Sequence, residues 1–217
     1  MKVNSRFDQK AKELDEHPVI RDIALKFSQT LKKSVPISKE TRLLDFGCGS
    51  GLVGMHLHQD SGSIAMVDSS KGMLNILRDK IDRNNISNMT VMNCSIHEIS
   101  AESEMFDIIY MNNVLHHIED LPEFFQQISM LLKPSGHVCV GDLTKEDGTF
   151  HDDNTDVKHF GFEEHESRRI LEECGFTDIR WEQYYLVKKP DKSGCIHDYP
   201  LFFMSAIKAQ QSSLSLS

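Results

Sequence analysis

The sequence predicts a doubly wound α/β fold on a mostly parallel seven-stranded sheet with an antiparallel C-terminal strand. Three observations carry this. Five short apolar runs alternate with segments of helical periodicity, a pattern that calls for parallel strands joined by right-handed crossovers. A glycine-rich stretch, Asp45-Phe46-Gly47-Cys48-Gly49-Ser50-Gly51, follows the first run directly. Two extended runs close the chain, separated by a connection rich in Pro, Lys and Gly that suits an antiparallel pair.

In chain order, Ile20, Ile23, Ala24, Phe27 and Leu31 form one apolar stripe at helical spacing, and Pro36 marks its exit. Residues 41–46 are a short apolar strand entering the glycine turn, and 52–58 are the helix that the turn opens. Residues 63–68 make a second strand, with Ser69 and Ser70 as caps of a helix whose apolar face holds Met73, Leu74, Leu77 and Ile81. Residues 90–94 form a third strand and 106–111 a fourth, rich in Ile and Tyr. A helix over 121–132 starts near Pro122 and stops at Lys133-Pro134-Ser135-Gly136. Residues 138–143 are the fifth strand. After a polar stretch, 145–161, a helix through Ile170, Leu171 and Cys174 ends at Gly175, and extended runs follow at 179–187 and 199–207.

At 217 residues the chain suits one domain, and 39% hydrophobic with 26% charged residues is ordinary for a folded protein. Lys plus Arg number 24 against 33 for Asp plus Glu, a net charge of −9 that repels a phosphate backbone, so no nucleic-acid partner is expected. The five cysteines contain no CxxC pair and their odd number disfavours a disulfide framework, which fits a reducing compartment. No run approaches a membrane span and no apolar leader opens the chain, so the expected location is the cytoplasm.

The glycines at alternate positions remove Cβ atoms where the chain turns from strand into helix, so that a nucleotide-like ligand can lie against the backbone. Asp68 ends the second strand, where doubly wound folds place a carboxylate for ribose hydroxyls. Gly49, Gly51 and Gly54 also satisfy a dinucleotide spacing, so NAD(P) and an oxidoreductase remain an alternative. Asp45 just before the turn separates the two ligands, because a carboxylate helps little beside a pyrophosphate and favours a cationic ligand such as S-adenosylmethionine (SAM). His116, His117 and His159 stand at or near the carboxyl edge of the sheet and are candidate general bases. His151, Asp152, Asp153, Asp156 and His159 match no defined metal-ligand spacing and read as a solvated acidic segment; no metal is assigned.

Through Asp45–Gly51, Val67-Asp68-Ser69-Ser70 and the segment Phe106–Asp120, the chain resembles the class I SAM-dependent methyltransferases, whose fold is Rossmann-like. It looks most like the small-molecule enzymes of the ubiquinone and menaquinone type. The resemblance implies that Asp45, Gly47, Cys48, Gly49 and Gly51 surround the methionine part of SAM and that Asp68 holds the ribose. It implies further that Ser69 and Met73 flank the adenosine, and that Asn112 faces the ligand. Where many relatives carry an acidic residue near the adenine, this chain reads Asn93-Cys94-Ser95-Ile96, so a side-chain hydroxyl or backbone carbonyl from Cys94, Ser95 or Ile96 is expected to meet the adenine. The expected organisation is one methyltransferase domain over 1–209, with 1–36 as a helical cap over the active site and 210–217 as a tail. A small-molecule methyl acceptor is the expected partner. A non-catalytic SAM-binding protein is the further alternative.

Overall fold

The computed structural model describes residues 13–100, 105–190 and 194–210. The elements in chain order are α1 Pro18–Ser34, β1 Arg42–Phe46, α2 Leu52–Leu57, β2 Ser63–Val67, α3 Lys71–Arg83, β3 Met89–Met92, β4 Phe106–Asn112, α4 Leu121–Leu131, β5 Leu132–Leu143, α5 Glu164–Glu173, β6 Phe176–Pro190 and β7 Ile196–Lys208. Single 3-10 turns sit at Ile96–Glu98 and Leu115–His117.

The strands form one sheet in the order β3-β2-β1-β4-β5-β7-β6. The first five are parallel to one another, and β7 runs antiparallel to both β5 and β6. Because side chains alternate across a strand, adjacent apolar residues feed opposite cores. Leu44, Ile109 and Met111 point to the face covered by Phe124, Phe125 and Ile128 of α4 and Leu171 of α5. Leu43, Ile108 and Tyr110 point to the face covered by Phe27 and Leu31 of α1, Val53 of α2 and Leu77 of α3. Both faces are buried, which is why the strands read as continuous apolar runs.

Local chemistry sets the helix ends. Ser70 Oγ accepts from Met73 N at 3.2 Å to cap α3, and Asp120 Oδ1 accepts from Glu123 N at 2.9 Å to cap α4. Pro18 opens α1, while Lys32 and Lys33 lie in its last turn, where they complement the helix dipole. The sequence pattern undersized the final hairpin: β6 and β7 extend past both expected ends. The residues added, such as Thr177, Asp178 and Lys188, are polar because β6 is an edge strand with much of its surface in solvent.

Of the anticipated cap, residues 13–16 are helical and α1 is a packing helix on the sheet face; 1–12 lie outside the described residues, as do 211–217 of the tail. Asp15 joins the cap to the glycine turn, pairing with Lys80 of α3 and accepting from Ser50 Oγ.

Candidate active site

The turn after β1 holds three glycines in the left-handed region, Gly47 (φ 70°), Gly49 (φ 54°) and Gly51 (φ 79°), a conformation that costs other residues about 1–2 kcal/mol each. Gly47 N and Cys48 N both donate to Val67 O, at 2.8 and 3.0 Å, clipping the turn to the end of β2. The glycines do different jobs. A Cβ at Gly47 would overlap Val114, and one at Gly51 would overlap Leu77, so these two permit packing. A Cβ at Gly49 would meet nothing nearer than Met73 Sδ at 4.0 Å, because Gly49 faces a cavity of about 920 Å³.

Asp68 stands beside it on the cavity wall. Its Oδ2 accepts from Gly49 N at 2.8 Å and its Oδ1 from Ser70 N at 2.7 Å, so backbone amides on two sides fix the carboxylate. Ser69, Met73, Cys94, Ser95 and Ile96 continue the wall. Ser95 N and Oγ both donate to Glu98 Oε2 at 2.8 Å, which holds the segment after β3 against the cavity.

Asp45, Cys48 and Gly51 are placed beneath the turn and do not line the cavity. The Asp45 side chain is buried, and its Oδ2 has no hydrogen-bond partner among the described residues. Burial pushes its carboxyl up to about 8; the neighbouring Tyr110 hydroxyl partly offsets this and the Asp68 charge adds to it. Asn112 accepts from Tyr184 Oη at 2.8 Å on the side of the sheet that faces α1, and its neighbour Asn113 lines the cavity instead. Asn113 takes φ 56°, donates its N–H to Gly141 O at 2.7 Å, and keeps a buried Oδ1 without a partner among the described residues. Asn tolerates this backbone better than most residues, and the combination was not singled out in the sequence.

The three candidate histidines separate clearly. His116 is buried and, like His159, does not line the cavity; its ring centroid lies 4.1 Å from that of His117 and its Nδ1 2.9 Å from Asp142 Oδ1. Burial opposes protonation of His116, but the Asp142 charge and hydrogen bond outweigh it, so its pKa stands above the ordinary imidazole value; Asp142 is correspondingly held below the usual carboxylate range despite its burial. His117 lines the cavity and its Nδ1 meets Asp156 O at 2.8 Å; burial, then the His116 charge, lowers its pKa. His159 Nε2 meets Ile118 O at 2.8 Å, and the backbone N–H groups of Lys158 and His159 donate to His116 O at 2.8 and 3.2 Å. His117 and His159 therefore fasten the 145–161 segment to the turn after β4, while His116 is oriented by the Asp142 carboxylate. Asp142 is 26 positions from His116, and no local pattern announces the pair.

Glu119, Asp120, Glu123 and Asp156 give the remaining cavity wall an acidic character, with Lys158 as its counterweight. Such a wall concentrates cations.

A family model described as a methyltransferase domain matches residues 37–189. The chain is similar to an uncharacterised methyltransferase of Schizosaccharomyces pombe, at 34% identity over 116 residues, 50% of this chain and 41% of the relative. It is 27% identical to phosphoethanolamine N-methyltransferase 1 of Triticum aestivum, covering 64% of this chain and 28% of the relative. A ubiquinone biosynthesis O-methyltransferase of Rhodopseudomonas palustris is 28% identical over 58% of this chain and 49% of the relative. The chain thus spans half or less of the length of these relatives. Among solved structures, a SAM-dependent methyltransferase from Aquifex aeolicus superposes with a TM-score of 0.68 at 20% identity, over 93% of this chain and 98% of that one. Phosphoethanolamine N-methyltransferase 2 of Haemonchus contortus superposes with a TM-score of 0.69 at 19% identity, over 87% and 53%. Both show the same fold.

Proposed function

Because the chain belongs to the class I SAM-dependent methyltransferase family, we propose that it transfers a methyl group from SAM to a small-molecule acceptor, with His116 as the general base. The observation that carries this is the pairing of Gly49 with Asp68 on the cavity wall: an open backbone position and a fixed carboxylate side by side.

The residues present fit the cofactor. Asp68 offers carboxylate lone pairs to ribose hydroxyls, and Gly49 lets the ligand lie against the turn. The unpartnered Asn113 Oδ1 is an acceptor suited to the ammonium of an amino acid, and the Asp45 carboxyl beneath the turn favours a cationic ligand through its charge rather than by contact. SAM supplies, when bound, an electrophilic methyl on a sulfonium sulfur. The protein's part is to align an acceptor atom with that methyl, exclude water and take up a proton where the acceptor must lose one. Asp142 fixes the His116 tautomer with the proton on Nδ1, which leaves Nε2 as the basic nitrogen.

Gly54 packs as the third glycine of a dinucleotide turn does, since a Cβ there would lie 2.7 Å from Met66 Cε, so glycine spacing alone does not separate SAM from NAD(P). Family membership decides between them. The small size of the acceptor is supported by the named relatives, and the acidic wall by itself is equally compatible with an N-terminal segment of a peptide. Calorimetry with SAM, S-adenosylhomocysteine and NADPH tests the cofactor: binding of the first two and not the third is expected. Labelled SAM incubated with a cell extract tests the acceptor, with label expected in small extractable products; label confined to macromolecules would overturn that part.

A further inference from the structure

Asp68 stands one residue beyond the last paired rung of β2 and β3, Val67 with Met92. Past that rung the two chains part, and the residues after them, Ser69 and Ser70 on one side and Cys94 to His97 on the other, line the cavity. The backbone ladder ends here: Asp68 N still reaches Met92 O, at 3.3 Å, but the Asp68 carbonyl is taken by a side chain instead of a strand. Asn93 Nδ2 donates to Asp68 O at 2.8 Å. A side-chain amide thus adds one rung to the sheet at the point where a backbone acceptor would otherwise face the opening.

That rung bears on the carboxylate. Asp68 Oδ1 accepts from Ser70 N two residues on, a turn whose shape depends on how the intervening peptide is oriented, and Asn93 holds the carbonyl of that same peptide. Asn93 is itself well founded: Ile96 and Ile99, just beyond it, are buried in the core beneath α4, and Glu98 Oε2 gathers Ser95 N and Oγ. Asn93 is exposed and does not line the cavity, so it reaches a ligand only through Asp68.

Resting on the methyl-transfer reading, we propose that Asn93 is a positioning residue for the cofactor's ribose: by fixing the peptide after Asp68 it presents the carboxylate to the sugar hydroxyls in one orientation. Three donors then set Asp68, Gly49 N and Ser70 N on its carboxylate and Asn93 Nδ2 on its carbonyl, each from a different stretch of chain. A carboxylate ordered in advance loses little freedom when the hydroxyls arrive, whereas one free to turn is ordered at the expense of affinity. The support comes from the exit of β3, so the chain that walls the far side of the cavity also sets the ribose contact. Removing the amide leaves the exposed surface and the core untouched, and its effect falls on recognition of the sugar rather than on folding.

The test is calorimetry on the full-length protein with three ligands: S-adenosylhomocysteine, its 2′,3′-dideoxy analogue, which lacks the sugar hydroxyls, and S-inosylhomocysteine, which differs only in the base. The wild type should bind the dideoxy analogue at least about tenfold more weakly than S-adenosylhomocysteine. In Asn93→Ala, affinity for S-adenosylhomocysteine should fall about fivefold while the dideoxy analogue is little affected, so that the ratio between them shrinks to about twofold. Asn93→Asp, which keeps the shape but has no donor for the carbonyl, should lose at least as much. The preference between the two bases should stay within about twofold of wild type, and the melting temperature within about 2 °C. A wild type indifferent to the sugar hydroxyls, a ratio unmoved in Asn93→Ala, an equal loss of base preference or a large fall in melting temperature would each overturn the inference and leave the methyl-transfer reading standing. Failure of S-adenosylhomocysteine to bind the wild type would remove that reading and the inference with it.

Discussion

Asp142 holds His116 at two points: its carboxylate takes the ring Nδ1 at 2.9 Å and the backbone N–H of the same residue at 3.2 Å, while Leu143 N donates to Oδ1 at 2.8 Å. One side chain therefore sets the position, the tautomer and the protonation of the candidate base.

Replacing Asp142 with Asn should lower the His116 pKa below the ordinary imidazole value, because burial then acts without the compensating charge. Imidazole NMR titration reads this. Loss of one partner of a buried pair should cost about 3–5 kcal/mol in urea unfolding. The raised His116 pKa contributes stability in full below its unfolded value near 6.5, and this is lost as pH rises through the folded value; the lowered Asp142 pKa contributes above 3.8 and is lost as pH falls. The gap between wild type and variant should accordingly be widest between those values and narrow in alkali. Once an acceptor is in hand, kcat should drop by about 10²-fold.

Asp45 predicts a proton-linked cofactor affinity. Its carboxyl, raised to about 8, is mostly protonated at pH 7, and a cationic ligand favours the ionised form. SAM binding should release a proton and tighten as pH rises from 6 to 8, by up to about tenfold per unit. Calorimetry in buffers of different ionisation enthalpy measures the release, and Asp45→Asn should abolish it. Without ligand, the raised carboxyl favours the folded state at low pH and loses that contribution as pH climbs from about 4 to about 8. Asp45→Asn should therefore melt higher than wild type at pH 8.

The glycines should divide into two classes. Gly51→Ala forces a methyl into Leu77 and is expected to destabilise the fold by about 2–3 kcal/mol through strain and overpacking. Gly49→Ala meets no such obstacle, so it should lose only about 1–2 kcal/mol of stability yet weaken SAM at least tenfold. Thermal melts with and without S-adenosylhomocysteine separate the two: the ligand-induced shift should survive in Gly51→Ala and shrink in Gly49→Ala by the equivalent of about 1.4 kcal/mol or more.

How far the sequence could carry the site follows from the range of each interaction. Gly49 and Asp68 stood out because they follow strand ends, where apolar runs stop and turn residues begin, whereas Ser69, Met73 and the segment from Cys94 to Ile96 came only through the family resemblance. That five strands run parallel was readable from alternation; their order in the sheet was not. What was not readable depends on residues distant in sequence: Asp142 sets His116 apart from His117, and Tyr184 holds Asn112 away from the side on which Asn113 lines the cavity. The length of β6 was hidden because an edge strand needs apolar residues on fewer positions, so its pattern fades toward both ends.

Lys80 offers a test of the link between the N-terminal region and the turn. Its Nζ pairs with Asp15 and donates to Ser50 O at 2.9 Å, with both side chains largely covered. Lys80→Met should speed hydrogen exchange at residues 48–51 and weaken SAM by about three- to fivefold, with a stability loss near 1 kcal/mol. Exchange unchanged at those residues would disconnect Asp15 from the cofactor turn.

The strand that is seventh in the chain is sixth in the sheet. Until β7 slots between β5 and β6, each of those strands presents a bare backbone edge, and Phe202 and Phe203 have no core to enter. Synthesis from the ribosome would thus hold a nearly finished sheet open until its final segment emerges, and the slow, aggregation-exposed step of assembly is the closing of that gap. Chaperone demand during production should consequently fall on the β6–β7 hairpin rather than on the cofactor half of the molecule.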